Sequence, residues 1–161
     1  GPCQDVECVG APRPIASKGW YAGPGRSHKE RDELLVKVRI PRGHYEGFTG
    51  YYFKYGKRNA LEITTMGCCC LVKLAADKST IEDIRLAFGV AGPTPMRALA
   101  AEDAVRGLPV AEAAEKIGEL AAGCTNPRDS WRASKEFRLQ LIKEMSKRSL
   151  IYAARRGGAD I

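Results

Sequence analysis

The chain has 161 residues, 44% of them apolar and 28% charged, which suits one globular domain with an ordinary core and excludes an intrinsically disordered chain. A formal net charge of +7 and a pI near 9.2 admit a nucleic acid, an anionic cofactor or an acidic partner subunit, and charge alone does not choose among them. No apolar run approaches the roughly 20 residues of a membrane span, and Gly1-Pro2-Cys3-Gln4-Asp5 shows neither the basic nor the apolar part of a secretory leader. The expectation is a cytoplasmic protein whose six cysteines stay reduced.

Residues 1–26 are rich in Gly, Pro and small side chains, and a short strand is expected over Val6–Val9 within what otherwise reads as loop. Lys29-Glu30-Arg31-Asp32-Glu33 is a solvated charge run. Leu34, Leu35, Val36, Val38 and Ile40 predict a strand closed by Pro41, because Val36, Val38 and Ile40 alternate with Lys37 and Arg39. A polar connection over 42–50 leads into Tyr51-Tyr52-Phe53-Lys54-Tyr55-Gly56-Lys57-Arg58, an aromatic strand ending in cations. A third strand is expected over Leu61–Leu74, with Gly67 as a bulge position. Asp77-Lys78-Ser79-Thr80 reads as a turn, and the alternation of Ile84, Leu86, Phe88 and Val90 predicts a further strand. Short connections between these strands argue for an antiparallel meander.

The period changes at Gly92-Pro93-Thr94-Pro95. Thr94 as cap and Pro95 as first residue predict a helix running to Ala104 or Val105. A second helix is expected over Val110–Ala122, and a third over Ser130–Arg155 after the break at Asn126-Pro127-Arg128-Asp129. The third carries Phe137, Leu141, Ile142, Met145 and Tyr152 as its apolar stripe and Lys135, Lys143, Lys147 and Arg148 as its wet side, ending at Gly157-Gly158. Strands first and helices second define an α+β domain: a small antiparallel sheet of three to four strands followed by three helices packed on one face.

Motifs for catalysis and metal binding are sparse. Cys68-Cys69-Cys70 lacks a second pair at ligand spacing, and consecutive strand residues face opposite ways, so the run reads as core packing. His28 and His44 stand in polar loops without partners and read as surface residues. Gly23-Pro24-Gly25-Arg26 neither follows a strand nor opens a helix, which excludes a phosphate loop. Trp20 and Trp131 read as packing anchors. What remains is the aromatic-to-basic strand, a good floor for a planar anionic ligand or simply a strand with a solvated end.

Several segments in order resemble one family: Gly23-Pro24-Gly25, Asp32-Glu33-Leu34-Leu35 closing in Ile40-Pro41, Phe53-Lys54-Tyr55 with Arg58 and Glu62-Ile63, Leu86-Ala87-Phe88-Gly89-Val90-Ala91-Gly92-Pro93-Thr94-Pro95-Met96-Arg97, and Ser130-Trp131-Arg132-Ala133-Ser134-Lys135-Glu136-Phe137-Arg138. Over about residues 20–158 the chain resembles the C-terminal part of the FAD-binding medium subunit of molybdenum hydroxylases, most of all that of bacterial xanthine dehydrogenases. The resemblance implies a remnant of the upstream FAD-binding domain, or an arm, over 1–26 and a CO dehydrogenase flavoprotein C-terminal-like domain over 27–161. It implies an electron-transfer role in which electrons from a molybdenum cofactor pass through iron–sulfur clusters to FAD and on to NAD. The molybdenum cofactor would belong to a large partner subunit and the clusters to a small one, and neither nucleic acid nor membrane would be a partner. On this resemblance Leu35 shields the flavin, Lys54 lies beside its ring, and Arg58 and Glu62 stand close to it, with no residue catalytic and none binding metal. The family's Gly-rich dinucleotide-cradling half has no counterpart in these residues. The chain is therefore expected to be a fragment or to work with a separate chain, and not to be catalytic alone. The alternatives are a basic α+β nucleic-acid-binding module and a ligand-free subunit-assembly domain.

Overall fold

The computed structural model describes residues 13–161; the strand expected over Val6–Val9 lies outside them. The chain divides into two compact units, Gly1–Val38 and Arg39–Ile161.

In the described part of the first unit a turn of 3-10 helix, Ser17–Gly19, precedes a minimal hairpin of β1 (Tyr21–Gly23) and β2 (Arg26–Ser27). Gly25 at its turn takes φ +67°, which an L side chain resists. Arg13 ties the unit together: its guanidinium reaches the Glu33 carboxylate at 2.6 Å and the His28 carbonyl at 3.0 Å. Glu33 also accepts from the Glu30 backbone N–H. Hydrogen bonds from Arg13 first, and then from the Glu30 amide, pull the Glu33 carboxyl down to about 2. The charge run is thus partly spent on holding its own loop.

No strand forms over Leu34–Ile40. The segment is extended but unpaired, with Val36 64% and Val38 77% exposed. Alternation gives strand propensity, but a strand needs a hydrogen-bonded neighbour, and none lies beside this one among the described residues.

The second unit is built on an antiparallel sheet in the order β3 (Thr49–Tyr55), β4 (Met66–Leu74), β5 (Ile81–Gly89) and β6 (Met96–Arg97). This is the expected meander, with two adjustments. Residues 61–65 remain loop, and the ladder shifts at Lys73/Leu74 rather than at Gly67, where pairing is continuous. The Asp77 carboxylate closes the β4–β5 turn by accepting from the Ser79 and Thr80 amides, each at 2.9 Å.

Helices α1 (Leu99–Val105), α2 (Val110–Gly123) and α3 (Lys135–Arg156) follow. The first helix starts later than expected because Met96 and Arg97 pair with Phe88 and Ala87 as the fourth strand, so Thr94 caps nothing. Glu102, 1% exposed, then joins strand to helix: it accepts from the Leu86 amide at 2.9 Å and from the Arg97 guanidinium. The third helix also starts later. Ser134 caps it by accepting from the Phe137 amide at 3.2 Å, and residues 130–133 form a separate tight turn.

The helices lie on one face of the sheet. Met66, Cys68, Cys70 and Val72 from β4 and Ile84, Leu86 and Phe88 from β5 meet Ile117, Ile142, Met145 and Leu150 in a single core. Each large side chain buried there contributes roughly 1.5–3 kcal/mol. Cys68 and Cys70 are packing residues, as expected; burial pushes the Cys68 thiol up to about 12. Close approach of α2 and α3 depends on Gly118, where a Cβ would stand 2.7 Å from the Lys143 carbonyl oxygen.

Candidate functional site

The opposite face of the sheet carries the exposed end of β3. Strand alternation sends Tyr51, Phe53 and Tyr55 toward the helices, where Tyr51 stacks on Tyr152 at 4.7 Å and Tyr55 meets Phe137 edge-on at 5.8 Å. Only Tyr52 and Lys54 of the aromatic-basic stretch share the outer face. Their cross-strand neighbours are small. Tyr52 pairs with Cys69, which pairs with Ala87; Lys54 pairs with Gly67, which pairs with Gly89.

Gly67 matters here. The Tyr52 hydroxyl lies 3.0 Å, and its ring carbon Cε2 3.7 Å, from the place a Gly67 Cβ would occupy. The ring therefore lies across the sheet in the space that glycine leaves, while remaining 61% exposed. At the other end of this face Arg85 is held by the His44 carbonyl and by the Phe48 ring, 4.4 Å from its guanidinium carbon. His28 and His44 are both exposed, as expected of surface histidines.

The loop from Gly56 to Thr64 closes the Lys54 end. The Lys54 ammonium donates to the Glu62 backbone carbonyl at 3.0 Å. The Glu62 carboxylate accepts from the Arg58 backbone N–H, and the Arg58 guanidinium donates to the Leu61 carbonyl. Amide hydrogen bonds, that of Lys57 first and then that of Arg58, hold the Glu62 carboxyl below the usual carboxylate range. A side chain at Gly56 would meet Glu62 Oε2 at 2.8 Å, so the carboxylate would have to shift to admit one. Leu61 at the tip takes φ +51°, a costly conformation for a γ-branched residue that the two Arg58 bonds hold in place.

Three of the four residues singled out from sequence, Lys54, Arg58 and Glu62, thus form one hydrogen-bonded set. Glu62 does so through its own loop: its carboxylate orients neither the Lys54 nor the Arg58 side chain. Leu35 lies in the first unit, on the unpaired extended segment, 60% exposed, and takes no part in that set. The residue that sequence reading missed is Tyr52. The signal for it was available: strand alternation alone separates Tyr52 and Lys54 from Tyr51, Phe53 and Tyr55. Among the described residues no group of His, Cys, Asp and Glu could hold a metal ion, and no helix is long and apolar enough to cross a membrane.

An antiparallel sheet with helices on one face and Tyr52 and Lys54 exposed on the other is an α+β module. The chain belongs to the CO dehydrogenase flavoprotein C-terminal domain family, which matches residues 51–153. It is 39% identical to the xanthine dehydrogenase FAD-binding subunit of Escherichia coli O157:H7 over 91% of this chain and 50% of that protein. It is 23% identical to the carbon monoxide dehydrogenase medium chain of Hydrogenophaga pseudoflava, over 86% of this chain and 47% of the other. The chain spans about half the length of the relatives it matches. Among solved structures, the carbon monoxide dehydrogenase of H. pseudoflava superposes with a TM-score of 0.75 at 26% identity, over 87% of this chain and 47% of that one. Quinoline 2-oxidoreductase from Pseudomonas putida 86 gives a TM-score of 0.81 at 22% identity, over 90% and 49%, a likeness of fold.

Proposed function

We propose that this chain is the flavin-covering C-terminal domain of the FAD-binding subunit of a xanthine dehydrogenase-type oxidoreductase. The observation that carries this reading is that Lys54, held by the Glu62 carbonyl, shares with the exposed Tyr52 ring the sheet face that the helices leave free, in a chain of this family. FAD, when bound, would accept electrons and pass them on. The residues present fit one side of its ring system. Tyr52 offers a flat aromatic surface, Lys54 offers a cation that favours added negative charge on the ring, and Glu62 and Arg58 hold the loop that positions Lys54. Leu35 would shield the ring and lower the local dielectric. No Gly-rich phosphate loop occurs in the sequence, so the dinucleotide would be held chiefly by another part of the flavoprotein. Partners of the assembled enzyme would be a large subunit holding the molybdenum cofactor and a small subunit holding iron–sulfur clusters. NAD would be the electron acceptor and the cytoplasm the location.

The nucleic-acid alternative has less to support it. On α3, Lys143 pairs with Glu119 at 2.8 Å, Lys147 with Glu115 at 2.7 Å and Arg148 with Glu144 at 3.0 Å. Cations spent on neighbouring carboxylates make a poor phosphate track.

The test is Lys54→Ala in the complete flavoprotein. Loss of a charge-assisted contact should weaken FAD about tenfold or more, or lower the flavin reduction potential. Unchanged affinity and potential together would sink the role of this strand. Titrating this chain alone while following flavin fluorescence should show no micromolar binding.

A further inference from the structure

The first turn of α3 supports a feature unrelated to the flavin face. Ser130 and Ala133 exchange backbone hydrogen bonds at 3.0 and 3.2 Å, which makes Trp131 and Arg132 the two tip residues of a tight turn. The turn is rigidly footed. Arg138, 2% exposed, donates to Ser130 Oγ at 2.8 Å and to the Thr65 carbonyl, so its guanidinium bolts the turn to the start of β4. The Asp129 carboxylate accepts from the Lys135 amide at 2.7 Å, and the Lys135 ammonium reaches Asn126 Oδ1 at 3.0 Å. Trp131, expected from sequence to anchor packing, is instead 83% exposed, with the Arg132 guanidinium carbon 4.4 Å from its ring centroid.

The guanidiniums around the turn are not ion-paired. Arg128, Arg132 and Arg138 have no carboxylate within ion-pair distance among the described residues, whereas most of the helix surface cations do. Two buried polar atoms at the foot, Arg138 Nε and Thr65 Oγ1, also lack a partner. Burial first, and then the Arg128 and Arg132 charges, lower the Arg138 pKa, against an opposing pull from the Asp129 carboxylate.

A large apolar ring held out on a rigid turn, with the Arg132 guanidinium over it and Arg128 nearby in sequence, has the composition of a protein interface anchor, in which Trp and Arg dominate the binding energy. Rigid footing reduces the ordering cost of association. We propose that the Trp131–Arg132 turn, with Arg128, is a docking anchor for a protein subunit that presents an apolar pocket rimmed by carboxylates. This rests on the assignment above, which makes that subunit one of the two partners of the assembled oxidoreductase. A nucleic acid fits less well: stacking and phosphate contacts need an extended run of free cations, and beyond this turn the cations of α3 are held by glutamates, by backbone carbonyls or, for Lys135, by Asn126.

The experiment is co-expression of the complete flavoprotein with its large and small subunits, comparing wild type with Trp131→Ala and with Arg128→Glu/Arg132→Glu. Trp131 and Arg128 are exposed and Arg132 is half-buried, and a thermal melt confirms folding. The expected result is subunit dissociation constants raised roughly 30-fold or more in each variant, the threshold of an interface hot spot. Wild-type association should weaken with salt, and flavin content per flavoprotein should stay unchanged. Undiminished association of both variants overturns the docking anchor while leaving the functional assignment intact. Failure of the wild type to associate with either subunit overturns both. Binding of a single-stranded oligonucleotide that the charge reversal abolishes, with subunit association intact, assigns the turn to nucleic acid instead.

Discussion

The two faces of the sheet are made from the same strands yet are built for opposite purposes. On the helix side, Cys68, Cys70, Leu86 and Phe88 are buried and close-packed. One residue along, on the other side, Tyr52, Cys69, Ala87 and Gly89 form a low surface with a cation at its edge. Burial contributes stability only where both partners belong to the chain. On the outer side the small residues and the Tyr52 ring remain uncovered. The cost of exposing Tyr52 is modest, because its ring still lies over Gly67.

This contrast predicts that stability and binding separate by face. Phe88→Ala should have the largest effect on folding, about 3–5 kcal/mol by chemical denaturation, since it leaves a cavity in the core. A loss below 1 kcal/mol would show that the helix face is loosely packed. Alkaline pH should act on the same face. The folded Cys68 thiol ionises only near 12, against a model-compound value of 9.0, so the unfolded chain releases its proton first. This contribution is fully present below pH 9 and is lost as pH rises toward 12; denaturation midpoints measured across that range should fall. Cys68→Ala should flatten part of the decline. Smallest of all, Tyr52→Ala and Lys54→Ala should each change stability by less than about 0.5 kcal/mol. A loss of several kcal/mol at either would mean that the outer face is structural.

Much of this division was legible in the residues. The alternation in β5 and the aromatic run in β3 carry their own period, and Cys68 and Cys70 fall on the buried parity by counting alone. The same counting misled over Val36, Val38 and Ile40. They alternate as cleanly as Ile84, Leu86 and Phe88 but remain exposed, since periodicity records a strand's preference and not the presence of its neighbour. Thr94-Pro95 looked like a helix start because the local capping pattern is correct; pairing of Met96 and Arg97 with β5 won over it. Trp131 reads from sequence as a packing anchor, and its exposure follows from a turn held by Arg138, a contact six residues beyond the tip that no local pattern reports.

By itself the sequence determined the order and type of most elements, the buried parity of the strands, the family and the candidate residues Lys54, Arg58 and Glu62. Those depend on local period, composition and motif. Only the tertiary structure decided that the face shared by Tyr52 and Lys54 is the one the helices leave free, that Glu62 staples its own loop over Gly56, and that Trp131 stands exposed beside Arg132. Each of these depends on where distant residues come together, through the space Gly67 leaves beneath a ring, an amide meeting a carboxylate, or a buried guanidinium bridging helix and strand. Such meetings are set by packing geometry across the fold, which a linear pattern does not contain.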